Sequence, residues 1–346
     1  MKKYVLILAA AVALAACAKT EVVPVNSDAD MEITFQPAPV TRAATTFATG
    51  NVFQSAAFYD TDDFDYDGNA ETFIAPTTVK YFTSVWKAAD ADGNAVTYYW
   101  PKDGGKLSFF SWSLNKSTLY YSDEDKDTPN VEISSSNGVK LTQFMVKCNV
   151  DFMVAEPALN QTKNISPKTY VTEGVPTLFK HKLAKFIFKA VTKADYTVNP
   201  YNQKFTINKI YFKKITDLAN YTQYVSSTSK DQWTDGNTGA TIYYLYGTDQ
   251  VVNYNNGVAE EVVKDFVDLY IPQTYTADSK LCVDYTVSRG SKSTAYTEEV
   301  SLNTLLGKTE CGKKYTITLN FGLDEILWDP AIEDWTDGTS SSYDVK

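Results

Sequence analysis

His181 is the sole histidine in this chain of 346 residues, and that narrows the available chemistry. Zinc sites of the His-Glu-x-x-His kind, Ser-His-Asp triads and Cys-His dyads lose their usual imidazole. With Lys180 and Lys182 beside it, His181 reads as a hydrogen-bonded structural residue. No Gly-x-Gly-x-x-Gly loop, Walker-type loop or Gly-x-Ser-x-Gly elbow occurs. A pair of carboxylates for glycoside hydrolysis can always be found among 42 acidic residues, so such a pair is no signal by itself. The chain therefore reads as a non-enzyme that needs no cofactor, and a hydrolase on a β-sandwich would require two inward carboxylates at hydrolytic spacing.

The acidic loop Asp60-Thr61-Asp62-Asp63-Phe64-Asp65-Tyr66-Asp67-Gly68 invites a calcium reading. Asp63, Asp65, Asp67 and Gly68 match the opening of an EF-hand loop, and Glu71 falls at its ninth position. Ile74 stands at the twelfth, where a bidentate glutamate should close the site, and strands rather than helices flank the loop. Calcium through another geometry and a plain solvated loop both stay open.

Two other positions point to processing chemistry. Met1-Lys2-Lys3 is a positive start, Val5 to Ala13 is too short an apolar run to span a bilayer, and Ala15-Ala16 precede Cys17. This is a signal peptide over residues 1–17 with a lipobox-like end, in which the Cys17 thiol is acylated after export, by palmitate or a similar chain. Two or three acyl chains would anchor it stably. Arg42, before Ala43, is one of only two arginines, the other being Arg289 inside an expected strand where folding would shield it. A protease specific for arginine thus meets few competing sites; the plain alternative is that Arg42 is a linker charge.

Between Cys17 and Arg42 lies one strand, residues 31–36. Met31, Ile33 and Phe35 point one way, Glu32, Thr34 and Gln36 the other, and Pro37 stops the run. Residues 18–42 thus form a removable segment carrying one half-buried strand.

The formal net charge is −10, and it is unchanged from Ala43 onward because Lys2, Lys3, Lys19 and Arg42 balance Glu21, Asp28, Asp30 and Glu32. An acidic chain lacks the electrostatic footprint of a nucleic-acid binder. Four cysteines, one of them lipidated, exclude a disulfide framework, although Cys282 and Cys311 could pair. Length predicts two domains. Aromatic and β-branched runs at Val79–Trp86, Ala95–Trp100 and Leu107–Trp112 are separated by the turn signals at 90–94 and 101–105. Leu281, Val283, Tyr285 and Val287, then Tyr315, Ile317, Leu319 and Phe321, alternate with polar neighbours as strands of a sandwich do. One short helix is expected over Val300–Leu306, capped by Gly307. The polar stretch from Asn160 to Thr172 places the domain boundary near 177/178, giving an N-terminal domain at 43–177, a C-terminal domain at 178–323 and a tail at 324–346.

Taken in order, the Cys17 lipobox, Thr41-Arg42-Ala43, Asp151 to Ala155, Phe179 to Phe186, Ile271-Pro272-Gln273, Gly312 to Ile317 and Trp328 to Trp335 resemble the fimbrillin-like, Mfa-like lipoproteins of type V pili. The resemblance covers most of the chain. It implies an all-β protein of two tandem transthyretin-like β-sandwich domains, exported as a lipoprotein to the outer-membrane surface. It also implies cleavage after Arg42 by an arginine-specific protease and assembly with other pilin subunits into a fimbrium. Loss of the Met31, Ile33, Phe35 strand would leave an open strand edge over an apolar groove, which a donor strand from another subunit would fill. Ile326, Trp328, Ile332 and Trp335 in the tail are the candidate donor residues. If the tail instead stays on its own sandwich, the chain is a tip or accessory subunit. A lipoprotein that captures glycan or host protein and never polymerises is the remaining reading.

Overall fold

The computed structural model describes residues 32–39, 49–116, 130–146, 150–163, 174–226, 229–323 and 326–335. Cys17, Met31, Arg42 and Ala43 lie outside these described residues. Strands dominate because the sequence alternates. In the stretch 184–190, Ala184, Phe186, Phe188 and Ala190 are buried while Lys185 and Lys189 are not.

The N-terminal elements are β1 (Phe35–Pro39), β2 (Phe53–Asp60), β3 (Glu71–Phe82), β4 (Val85–Ala89), β5 (Ala95–Val96), β6 (Lys106–Lys116), β7 (Asn130–Ser134), β8 (Gly138–Met145), β9 (Val150–Ala155), β10 (Ala158–Gln161) and β11 (Val175–His181). They are followed by β12 (Ala184–Thr192), β13 (Gln203–Ser226), β14 (Ser229–Val252), β15 (Glu260–Glu261), β16 (Leu269–Tyr270), β17 (Lys280–Arg289), β18 (Lys292–Ser301), α1 (Leu302–Leu305), β19 (Lys313–Phe321) and β20 (Ile326–Asp334).

Three sheets result among the described residues, and the protein is an all-β sandwich structure, as the sequence implied. The first runs β1-β11-β9-β6-β2-β3-β4-β5, and β1 also pairs with β4. That second pairing closes seven strands into a ring with β1 as the closing member. The C-terminal sandwich sets β15-β12-β19-β20 against β18-β17-β13. Its core includes Phe186, Phe188, Phe212, Tyr270, Ile317 and Phe321.

The hairpin β13–β14 is longer than one sandwich. Residues up to Ile215 line the C-terminal core, whereas Ala219, Tyr221 and Tyr224 pack on Phe110 and Phe152 beside the ring. There β13 pairs with β8, and Gln223 accepts from Val139 N–H at 3.1 Å and donates to Ala155 C=O at 2.9 Å. Lys182, 4 % exposed, ties the same tip through Asp231 at 2.7 Å, and its carbonyl accepts from Trp233 Nε1 at 2.9 Å. The ring and the C-terminal sandwich are thus stapled by a polar pair under an aromatic roof.

Several local expectations shift. Val79–Trp86 is not one strand but the hairpin β3–β4, turned at Thr83 with φ of 50°. Patterning failed there because aromatic residues on both arms make the hairpin look continuous. Ala95–Trp100 keeps strand pairing only at Ala95–Val96 and at a bridge from Tyr99 to Glu32. The helix is confined to Leu302–Leu305, since Val300 belongs to β18 opposite Leu281, although Gly307 does follow with φ of 70°. β11 of the first sheet ends at His181 and β12 of the second begins at Ala184, while β7 and β8 already belong to the sheet of β13.

Candidate functional site: the slot held by the first strand

The leading strand runs Phe35–Pro39, so Pro37 does not stop it. It lies parallel to β11, with Phe35 opposite Val175 and Pro39 opposite Phe179. Val175 N–H donates to the Thr34 carbonyl at 2.7 Å. Alternate residues bond in a parallel ladder, so Thr34, Gln36 and Ala38 face β11 and the two prolines sit where no N–H is required. Proline is tolerated here for that reason, which the sequence pattern alone did not disclose.

Ile33 and Phe35 are each 3 % exposed. Phe35 meets Phe53 and Phe109 edge-on, at ring separations of 5.7 and 5.8 Å. Phe53 in turn contacts Phe179 at 5.2 Å and Trp86 at 5.9 Å. The rim is polar. Glu32 forms an ion pair with Lys87 at 2.6 Å and accepts from Thr97 Oγ1 at 3.1 Å, while Ile33 N–H donates to Tyr98 C=O at 2.8 Å. One mismatch stands out, because Gln36 Oε1 is buried with no hydrogen-bond partner among the described residues. A carbonyl left so costs about 1–3 kcal/mol, which weakens the hold of β1 on its seat.

Gly174 shapes the slot from the other side. A Cβ there would lie 3.0 Å from the Phe35 carbonyl carbon, and the residue has φ of +152°. Gly174→Ala is therefore expected to lower stability by about 1–3 kcal/mol through strain and crowding of β1. Urea unfolding of the uncut chain checks this, and an unchanged midpoint would contradict the fit.

The tail residues are brought to two different places. β20 pairs with β19 along its whole length and forms the edge of its own sheet, through Pro330 as well. Ile326 is buried, Trp328 is half-buried on the C-terminal core, and Ile332 is 56 % exposed. Trp335 instead packs in the N-terminal cluster, stacked on His181 with ring centroids 3.5 Å apart and 11° between planes. Its backbone N–H donates to Gly312 C=O at 2.7 Å, and Asp151 holds His181 Nδ1 at 2.9 Å. The four candidate donor residues thus do not share one face.

Arg289 differs from expectation in part. It ends β17 next to Gly290, and its side chain is exposed rather than shielded. Its backbone is held between Gln203 and Lys292, so a protease must first open two ladders to reach it.

Among the described residues no three histidine, cysteine or acidic side chains converge to hold a metal ion. The acidic loop is ordered by other means. Phe64 N–H donates to Asn160 Oδ1 at 2.7 Å, Lys106 pairs with Asp63 at 2.7 Å, and Tyr66 packs on Tyr224 at 4.6 Å. Cys282 and Cys311 are free thiols. Burial pushes Cys282 up to about 12 and Cys311 up to about 11, with Glu299 adding to the first. Iodoacetamide at pH 8 should then label both only as the protein unfolds, read by site-resolved mass spectrometry. Rapid labelling of the native chain would contradict their burial.

The family model described as fimbrillin-like matches residues 41–335. The chain belongs to the fimbrillin-like family. Among solved structures it resembles a fimbrial protein from Bacteroides vulgatus, at 16% identity and a TM-score of 0.52, covering 88% of this chain and 100% of that one. A candidate cell adhesion protein from Bacteroides uniformis gives 16% identity and a TM-score of 0.45, over 88% and 99% of the two chains. Another from Bacteroides ovatus gives 13% and 0.46, over 88% and 97%. Among curated proteins none matches the chain. Membership makes this fimbrillin-like protein a fimbrial subunit of the cell surface that assembles with other pilin subunits, in a family of structural rather than enzymatic proteins. No helix among its described residues is long and apolar enough to cross a membrane.

Walls of the slot went unread in the sequence. Trp86, Lys87, Tyr98 and Val175 have no local pattern that announces a strand arriving from residue 35. Gly174 before β11 was the available hint, as an isolated glycine at a strand's start can mark close backbone approach.

Proposed function

We propose that this chain is a pilin precursor, exported as a lipoprotein acylated on Cys17 and held at the outer-membrane surface until an arginine-specific protease cuts after Arg42. β1 is the removable occupant of a slot that a donor strand from another subunit then fills. The observation that carries this reading is the ring closure: β1 completes seven strands over an apolar core, yet ends three residues before Arg42 in the sequence. Vacating the slot exposes β4 and β11 edges and the Phe53, Trp86 and Phe109 floor, a surface that strand addition satisfies in both backbone bonds and side-chain pockets. Joining copies head to tail without closure gives a filament.

The tail supplies the donor in this reading, detached from β19. Its place on its own sheet favours a second reading, a tip or accessory subunit that accepts a strand and donates none. A third, capture of glycan, draws on a surface groove of about 480 Å³ where Tyr59 and Phe73 stack beside Glu71, Lys102 and Asp103. Mass spectrometry of the N-terminus from cells tests the proposal. Polymers should begin at Ala43 and precursors at acylated Cys17; an acylated Cys17 as the sole form would contradict it.

A further inference from the structure

The sequence around the first strand and that around the last carry the same residue series. Glu32-Ile33-Thr34-Phe35-Gln36-Pro37-Ala38 and Glu325-Ile326-Leu327-Trp328-Asp329-Pro330-Ala331 share glutamate, isoleucine, proline and alanine at identical spacing. Each also sets an aromatic ring midway between the isoleucine and the proline. The slot explains why each shared type is needed. Ile33 and Phe35 fill the apolar floor, Pro37 stands off the β11 ladder, and Glu32 pairs with Lys87 on the rim.

Resting on the strand-exchange reading above, we propose that Glu325–Ala331 of a second copy of this chain takes the place of Glu32–Ala38 residue for residue, running parallel to β11. Ile326 enters the seat of Ile33 and Trp328 that of Phe35, between Phe53 and Phe109. Pro330 replaces Pro37 where no N–H is required. Glu325 answers Lys87.

On its own sheet β20 has a single neighbour among the described residues, β19, and its Trp328 is half-exposed. In the slot the same strand is flanked by β11 and β4 together, and its aromatic residue takes a position that is 3 % exposed. The move therefore exchanges a one-sided edge for a two-sided seat. Asp329 is the poorer member of the series, since it meets the position where the side-chain oxygen of Gln36 is buried without a partner among the described residues. Asp329→Gln should speed assembly, and Trp328→Phe should be tolerated because the seat already holds a phenylalanine. Gly322 to Asp324 span at most about 10 Å, so the C-terminal sandwich of one copy abuts the slot of the next.

A cysteine pair tests the register. Ala38 faces Leu178 in the uncut chain, so Ala331→Cys with Leu178→Cys should join successive copies once an arginine-specific protease has cut. Within one chain the two positions lie in different sheets, with Ala331 opposite Thr316, so a bond reports exchange. The expected result is covalent ladders on non-reducing gels, with little bonding when Ile332→Cys replaces Ala331→Cys. Independently, Lys87→Glu should slow assembly by about tenfold, and adding Glu325→Lys should restore it. Ladders that form without this cross-link, or that prefer the shifted pair, overturn the register while leaving strand exchange standing. A cut wild-type chain that forms no ladders overturns the exchange reading and this inference with it.

Discussion

Cutting the chain after Arg42 is expected to convert a monomer into end-to-end ladders, while Arg42→Ala stays monomeric under the same protease. The cut removes no contact by itself. It turns closure of β1 from an intramolecular event, with an effective concentration of about millimolar, into an ordinary association between separate chains. At micromolar protein that difference is about 4 kcal/mol. Burial of Ile33 and Phe35 supplies only about 3–6 kcal/mol, so the occupant becomes replaceable. A domain whose whole stability is roughly 5–15 kcal/mol cannot leave such a slot empty without becoming marginal. Size-exclusion chromatography with light scattering reads the outcome, and a cut chain that stays monomeric at high concentration would contradict the account.

A chain ending at Gly322 should accept a strand and donate none. Added in small proportion to cut wild-type protein, it is expected to cap growing ends and shorten the ladders. Loss of β20 also uncovers β19 and removes Trp335 from His181, so this variant is less stable than the parent. Trp328→Ala in the full chain separates the two effects. It keeps Trp335 in place, and its donation should fail because a methyl group cannot fill the seat of Phe35, where truncation of a buried aromatic costs about 3–5 kcal/mol. If ladders grow to full length with either variant present in excess, the donor lies elsewhere.

Much of this was legible in the residues. The alternation of Tyr315, Ile317, Leu319 and Phe321 specifies β19, because a period of two leaves one consistent face for the core. Ile33 and Phe35 were readable as inward for the same reason. What could not be read is pairing across long separations. Phe35 opposite Val175, and Tyr221 returning to Phe152, depend on closures of the whole chain rather than on any local preference. Pro37 misled because proline forbids a ladder bond only on the side where its nitrogen faces a neighbour. The tail misled in another way. Ile326, Trp328, Ile332 and Trp335 are all apolar, yet Trp335 leaves the strand's alternation to cover His181.

Hydrogen exchange of the β11 and β4 amides addresses the exchangeable occupant most directly. In the uncut chain the amides of Val175–His181 and Val85–Ala89 that face β1 should be protected. They should lose protection in the cut monomer freed of residues 1–42, and regain it in ladders. Protection that persists in the freed monomer would mean that β1 does not hold the slot, and the account would fall.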